Sequence, residues 1–304
     1  MMSADRLIAI FGPTAIGKTD IAIALAERLR ADGRTPVAVS ADALQIYRGL
    51  EVLTGAADAR QRRLLEHRLL SFVDISESFS AGRYAKLAHR EIDALLDAQQ
   101  VPIVVGGTGL YLRAALADLS LAPPPPPELR ARWQAELEAL GPRALHELLA
   151  QRAPEQAATI APTDAQRIVR ALELHELGAL PPPRGTDSEL WTQAMRRPTL
   201  LVGLTMGRGE LRARIDERVD AMLAAGVEAE VRAAVTAGAG ESARKALGFR
   251  ELLAGDTEAM KRRTHAYARR QLTWMRKLAG VWTIDISGRD AASVAAAIHA
   301  RWAG

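Results

Sequence analysis

The chain has 304 residues, 48% of them hydrophobic and 25% charged, which is the balance of a globular protein with a sizeable core. Lys and Arg total 40 against 36 Asp and Glu, so the net charge of +4 does not by itself announce a nucleic-acid partner. The absence of cysteine excludes disulfides, thiolate catalysis and Cys-based zinc sites. No apolar stretch reaches the roughly 18 residues that a membrane-spanning helix requires.

Residues 7–11 (LIAIF) follow Asp5 and Arg6 as a continuous apolar run. Such a run reads as a strand buried on both faces rather than as a signal peptide, and a cytoplasmic location is the default expectation. A glycine-bearing turn comes next. Ile21, Ala24, Leu25 and Leu29 then recur at the spacing of one helix face. A second strand is expected at Pro36–Ser40, a helix over 81–98, and another buried strand at 101–105 (VPIVV), ended by Gly106-Gly107. Strands alternating with helices predict a doubly wound, mostly parallel α/β sheet.

The composition then changes. Residues 123–127 are five prolines, an extended and semi-rigid spacer. Helical stretches at about 128–150 and 164–177 follow, before a second Pro-rich break at 181–187 (PPPRGTD). This pattern predicts a helical insertion over 123–198, hinged at its Pro-rich ends, within a core formed by 1–122 and 199–304. Residues 199–204 (TLLVGL) return to the sheet, helices fill about 208–237 and 256–279, and 281–286 (VWTIDI) reads as a last strand. Between Lys261 and Lys277 lie Arg262, Arg263, Arg269, Arg270 and Arg276 with no acid among them. A basic run of this kind suggests an anionic partner rather than a merely solvated helix face.

Residues 12–19 carry the chemistry. Gly12, Pro13, Thr14, Ala15, Ile16, Gly17, Lys18 and Thr19 form G-x-x-x-x-G-K-T between a predicted strand and a predicted helix. Glycines let the backbone wrap phosphate oxygens, and successive N–H groups with a helix N-terminus face the anion. Lys18 supplies positive charge, and Thr19 offers a hydroxyl to Mg²⁺. The motif demands an oligophosphate but leaves open whether it is a nucleoside triphosphate or a pyrophosphate ester. Asp42 and Thr108 follow predicted strands, where doubly wound folds place their chemistry. Asp42 there serves as metal partner, general base or helix cap; Thr108 serves as site hydroxyl or helix cap.

Together these residues identify a family resemblance. GPTAIGKT at 12–19, ADALQIY at 41–47, HRLL at 67–70, FSAGRY at 79–84 and VGGTGLY at 105–111 occur in order. DAQRIVRALE at 164–173, IDERVDAMLAAGVEAEV at 215–231, KALGFRE at 245–251 and RRQLTWMRK at 269–277 continue the series. The chain resembles the tRNA dimethylallyltransferases, also called tRNA isopentenyltransferases, nearly end to end. The resemblance implies a P-loop NTPase-like core. It also implies transfer of a dimethylallyl group from dimethylallyl pyrophosphate to N6 of the adenosine 3′-adjacent to the anticodon.

On the same resemblance the P-loop holds pyrophosphate, with Mg²⁺ at Thr19. Arg218 is a second pyrophosphate clamp, Asp42 the general base, and Thr108 a hydroxyl near the reacting centre. The tRNA anticodon stem-loop would meet Asp42, Ala43, Leu44, Gln45, Thr108 and Arg130. Further contacts would come from Gln166, Arg167, Ile168, Val169 and Arg170, and from Lys245, Ala246, Leu247, Gly248, Phe249 and Arg250. The last block is Arg269, Arg270, Gln271, Leu272, Thr273, Trp274, Met275 and Arg276, with Trp274 expected in the core rather than stacked on a base. A monomer is expected.

Three departures stand out. Ala43 replaces a frequent Ser. Leu53-Thr54-Gly55-Ala56-Ala57 loses a Lys and a Pro. His265-Ala266 replaces an Arg-Gln pair. The insertion also looks short, implying a reduced grip on the anticodon. The rival readings are a P-loop small-molecule kinase, which would lack a tRNA surface, and a catalytically silent RNA-binding protein.

Overall fold

In the computed structural model, residues 6–122, 124–181 and 189–304 are described. The first half runs β1 (Leu7–Phe11), α1 (Lys18–Ala31), β2 (Pro36–Ser40), α2 (Glu51–Thr54), α3 (Ala59–Leu64), β3 (His67–Arg68), α4 (Ala81–Asp97), β4 (Val101–Gly106) and α5 (Gly109–Leu116). Then come α6 (Pro127–Arg152), α7 (Pro154–Ala157) and α8 (Ala165–Glu176). The chain returns through β5 (Thr199–Thr205), α9 (Arg208–Ala224), α10 (Val227–Thr236), α11 (Phe249–Leu253), α12 (Thr257–Met275), β6 (Trp282–Asp285) and α13 (Ala291–Ala303). No helix among the described residues is long and apolar enough to cross a membrane.

The strands form one six-stranded sheet in the order β3-β2-β4-β1-β5-β6, with every pairing parallel. The register sets the site. Phe11 lies opposite Gly106, and Ser40 opposite Val105, so β1, β2 and β4 end almost level. The residues just beyond them, 12–19, 41–45 and 107–108, therefore share one edge of the sheet, as open α/β sheets require of a ligand site. Aliphatic side chains fill the layer between sheet and helices, including Ile8, Ile10, Leu25, Leu29, Ile103 and Val202. A second core gathers Ile46, Tyr47, Leu50, Val219, Val231, Phe249 and Met260 and fixes the C-terminal helices beside the sheet edge.

The expected strands are all present, and the structure adds β3, which at two residues is too short for a periodic signal. The stretch expected as helix over 208–237 is divided at Gly226, whose φ of 82° interrupts helical geometry. Helix α6 is likewise kinked at Gly141, with φ 77°, directly before Pro142.

The chain divides into two compact units. One joins the described residues up to Leu119 with Gln193–Gly304; the other is Ser120–Thr192. Residue 123 of the first proline run and residues 182–188 of the second Pro-rich break lie outside the described residues. The second unit is helical, and Trp133, Leu145, Leu149, Ile168 and Leu172 form its own core. Glu173 on α8 is fully buried there (0% exposed) and binds two arginines of the same unit. Arg130 donates to it through Nε at 3.1 Å and Nη2 at 3.2 Å, and Arg170 through Nη1 at 3.2 Å. Two residues expected to hold tRNA thus share one buried carboxylate, which offsets part of their charge.

Replacing Glu173 by Ala removes these charge-assisted bonds, but Arg130 is 51% exposed and can rehydrate. The expected cost is about 1–3 kcal/mol. Hydrogen-exchange protection should fall in α6 and α8 and stay unchanged in the sheet; unchanged α6 and α8 would contradict this account.

Candidate active site

β1 delivers the chain into the glycine loop, and α1 leaves it at Lys18. Gly17 precedes the helix with φ 88°, a conformation that a side chain would strain. A glycine loop that runs straight into the first turn of α1 is the setting in which backbone N–H groups bind an anion. Lys18 Nζ donates to the carbonyls of Gly12 at 3.0 Å and Pro13 at 2.8 Å, so the ammonium is folded back over its own loop. Burial pushes its pKa down to about 8; Asp42 raises it in part, and the Arg218 guanidinium lowers it further.

The loop forms one wall of a cleft of about 320 Å³, a volume suited to a small ligand. Thr14, Ala15, Gly17, Lys18, Thr19, Asp42, Leu44, Gln45, Thr54, Gly55, Arg218, Leu247, Tyr267 and Gln271 are among the residues lining it. Sequence positions more than 200 residues apart in the chain therefore meet here. The structure brings Lys18, Thr19, Asp42 and Arg218 together.

Asp42 follows β2 by two residues. Its Oδ1 accepts from the Leu44 N–H at 3.0 Å, which fixes the carboxylate within its own turn. Thr108 occupies the residue before α5, yet its side chain does not cap that helix. Its Oγ1 instead accepts from the Ala43 N–H at 3.2 Å, tying the β4 end to the Asp42 turn. Tyr84 fastens the same turn from below, donating its hydroxyl to the Ser40 carbonyl at 2.8 Å while stacking on Tyr111.

Arg218 projects from α9, and burial lowers its pKa while Asp42 and Asp20 raise it. Its Nη2 donates to the Thr54 carbonyl at 3.3 Å. Gln45 Nε2 donates to the carbonyls of Thr54 at 3.2 Å and Gly55 at 3.1 Å. Gly55 ends α2 with φ 58°, and a Cβ there would lie 1.6 Å from Arg218 Nη2. The guanidinium therefore occupies space that only glycine leaves.

The expected tRNA blocks are contiguous in sequence, but helix geometry splits them. Ile168 and Val169 belong to the core of the helical unit, whereas Gln166 and Arg167 are exposed, with Arg167 paired to Asp164 at 3.4 Å. Ala246, Gly248 and Phe249 are buried; Lys245 and Arg250 are exposed, with Lys245 paired to Glu241 at 2.6 Å. On α12, Arg269, Arg270, Thr273 and Arg276 face solvent, while Gln271 and Met275 are buried and Leu272 packs against the main core. These buried residues are withdrawn from the outer surface, because every third or fourth helical position faces inward, and of them Gln271 lines the cleft. Trp274 is half-buried with its ring against Gly109 and is not part of the buried core in which it was expected.

The basic run is also less basic in space than in sequence. Lys261 pairs with Asp220 at 2.7 Å, Arg262 with Asp256 at 3.8 Å, and Arg263 with Glu251. Its last two turns keep their cations outward, with Arg270 over the Tyr267 ring at 5.6 Å.

Tyr267 is the site residue that sequence reasoning missed. Its hydroxyl lies within reach of Thr108 and Gln271, and burial with the Asp42 charge holds its pKa well above the usual tyrosine range. It stays a neutral donor at physiological pH. The signal was present: Met260, Thr264, Tyr267 and Gln271 recur at helical spacing on α12, and all four line the cleft.

A phosphate loop after β1, a level parallel sheet edge and a cleft with two half-buried cations define a P-loop-type α/β protein that binds a phosphorylated ligand. The sequence pattern of the family described as IPP transferase matches residues 45–278, and the chain belongs to this family. It is 43% identical over 283 residues to the tRNA dimethylallyltransferase of Kineococcus radiotolerans, covering 89% of this chain and 88% of that protein. It is 40% identical over 284 residues to the tRNA dimethylallyltransferase of Thermobifida fusca, covering 90% and 88%. Among solved structures, the tRNA isopentenylpyrophosphate transferase of Bacillus halodurans superposes with a TM-score of 0.69 at 31% identity, over 98% of this chain and 95% of that one.

Gly55→Ala is expected to displace the Arg218 guanidinium. The fold should lose only about 1 kcal/mol, from the strained φ, since a flexible side-chain end can move. Turnover should fall at least tenfold with little change in thermal midpoint. Full activity in this variant would show that Arg218 does not need its seat on Gly55.

Proposed function

We propose that this chain transfers a dimethylallyl group from dimethylallyl pyrophosphate to the exocyclic N6 of the adenosine 3′-adjacent to the anticodon in tRNA, releasing pyrophosphate. The observation that carries the reading is one cleft holding a glycine loop, two half-buried cations (Lys18 and Arg218) and the carboxylate of Asp42. The names of the relatives point the same way.

The chemistry follows from these groups. The loop amides, Lys18 and Arg218 bind the diphosphate and stabilise the charge that builds on it as the C–O bond breaks. The N6 lone pair is delocalised into the purine ring, so this nitrogen is a poor nucleophile. Asp42, oriented by the Leu44 N–H, takes the N6 proton as the new C–N bond forms. Tyr267 lines the neighbouring wall, and Thr108, outside the lining, braces the Asp42 turn through the Ala43 N–H. The adenine must leave its stack to enter, at a cost of a few kcal/mol that a single-stranded loop keeps low. The outward arginines of α12 and the exposed cations of the Ser120–Thr192 unit supply phosphate contacts to the tRNA. A reaction on tRNA is in keeping with a cytoplasmic location.

The oxygen donors fit Mg²⁺. Thr19, Asp20 and Asp42 line the cleft, and no cluster of three or more His, Cys, Asp or Glu occurs among the described residues. The protein would thus hold the ion through Thr19 and one or two carboxylates, leaving other positions to water and diphosphate oxygens. When bound, Mg²⁺ adds positive charge at the leaving group.

A kinase is less well supported. The strands flanking β1 run into Gly106-Gly107-Thr108 and Thr205-Met206-Gly207, so the carboxylates that fit Mg²⁺ lie on α1 (Asp20) and the β2 turn (Asp42) rather than at a strand end beside the loop. The decisive experiment is mass spectrometry of tRNA incubated with the protein and dimethylallyl pyrophosphate, which should show the five-carbon addition on adenosine. ATP consumption without alkylated tRNA would reverse the assignment.

Asp42→Asn should lower single-turnover transfer by about 10²–10⁴-fold while tRNA affinity changes only a few-fold. Undiminished transfer would remove Asp42 as the base.

Lys18 gives opposite pH slopes for stability and binding. Its folded pKa of about 8 lies below the ordinary 10.5, so the unfolded chain binds the extra proton between these values. The ligand-free fold therefore gains stability from this group as pH rises through that window, and loses it as pH falls through about 8. The anionic donor requires the charged lysine, so its affinity should weaken above about pH 8. Donor titrations of the wild type and Lys18→Met between neutral and alkaline pH test this; equal slopes in both proteins would refute it.

A further inference from the structure

Gln271 lies on α12 and is 4% exposed. Both ends of its amide are engaged. Oε1 accepts from the Thr14 N–H at 2.8 Å, and Nε2 donates to the Gly107 carbonyl at 2.8 Å. The amide orientation is dictated, because a flipped group would set N–H against N–H and oxygen against oxygen. A Cβ on Gly107 would lie 2.3 Å from Nε2, so the close approach needs glycine there. One side chain therefore spans the start of the phosphate loop, the end of β4 and α12.

We propose that Gln271 is a positioning residue that sets the phosphate loop for the diphosphate, and that it does not contact tRNA. The proposal rests on the loop being the diphosphate site. Three observations support it. The residue is buried on the inward face of α12, whereas its neighbours Arg269 and Arg270 point outward. The Thr14 N–H is committed to Gln271, so the anion cradle consists of the later amides of the loop and the first turn of α1. Tyr267, one turn earlier on α12, reaches both Gln271 and Thr108, so the strap continues to the Asp42 turn. Losing Gln271 leaves the half-buried Thr14 N–H and the buried Gly107 carbonyl without this partner, a cost that the loop reduces by moving. Because the same helix carries the outward arginines, the tRNA-facing surface and the phosphate loop share one rigid element.

The test uses the full chain with Gln271→Met, which keeps length and apolar packing but loses both hydrogen bonds, and Gln271→Ala. Inorganic pyrophosphate binding is measured by calorimetry, tRNA binding by filter retention, and donor KM and kcat separately. Both variants should weaken pyrophosphate at least tenfold and raise donor KM similarly. Their tRNA Kd should stay within twofold, with kcat at saturating donor changed less than KM. Gly107→Ala should reproduce the defect by expelling Nε2, and should add nothing in the Gln271→Ala background, where the space is vacant. This last comparison stands even if Gln271→Met folds poorly.

Wild-type pyrophosphate affinity in Gln271→Met would overturn the proposal, as would a selective loss of tRNA affinity. Additive losses in the Gly107→Ala, Gln271→Ala pair would also overturn it. If the wild type itself failed to bind pyrophosphate, the reading of the loop would fall and the proposal with it. Normal wild-type binding with unaltered variants would defeat the proposal alone.

Discussion

Lys18 and Arg218 are held at the same cleft, each partly desolvated and each disfavouring the other's charge. Asp42 opposes both, and Asp20 acts on Arg218 as well. An anion entering the cleft between the two cations offers them stronger partners, and the rest of the structure serves to hold that arrangement in its absence. The carbonyls of Gly12 and Pro13 occupy the lysine ammonium, and the Thr54 carbonyl occupies the arginine. Both cations are thus kept near their working positions by weak, replaceable acceptors. A diphosphate offers stronger acceptors at the same place, so binding exchanges neutral carbonyl contacts for charge-assisted ones. This is pre-organisation in the sense that matters for electrostatic stabilisation of a leaving group.

The level ends of β1, β2 and β4 make the arrangement possible. Their residues beyond the sheet are short in reach: an aspartate, a threonine and a loop of small residues. They can cooperate only if the strands stop within about one residue of each other, which the pairing of Phe11 with Gly106 and Ser40 with Val105 achieves. The longer Arg218, Tyr267 and Gln271 then come from helices packed over the edge by the second core. Short side chains are carried by the sheet and long ones by the helices, so each group reaches the centre without an extended loop.

What could be read from the sequence follows the same division. Strands and the phosphate loop are local features: an apolar run, a glycine and a lysine at fixed spacing define their own geometry. Asp42 and Thr108 were legible because strand ends are where such sheets do chemistry. The roles of Gln271, Gly55 and Tyr267 depend on what α12, α2 and α9 pack against, over separations as large as that between Thr14 and Gln271. Helical spacing puts Met260, Thr264, Tyr267 and Gln271 on one face of α12, but no local pattern says what that face packs against. Blocks of matching residues also hid the helix period. Gln271 and Met275 sit beside exposed arginines in sequence but on the opposite face in space. Lys261, Arg262 and Arg263 find their acids on other elements or at the start of their own helix, outside the run in which none was counted.

The departures at 53–57 gain a physical meaning from the same geometry. Thr54 and Gly55 present their carbonyls to Gln45, and Thr54 also presents its carbonyl to Arg218, while the bare Cα of Gly55 admits the guanidinium. Ala56 and Ala57 add no charge to this wall. Lys18 and Arg218 are then the two cations that line the cleft, facing the carboxylates of Asp20, Asp42 and Asp58. Arg218 has little freedom to take a second role as a flexible surface contact, because burial and the Thr54 carbonyl hold it against the wall. The loss of a lysine and the fit of an arginine onto a glycine are coupled consequences of one short turn, and the electrostatics of the cleft depend on both.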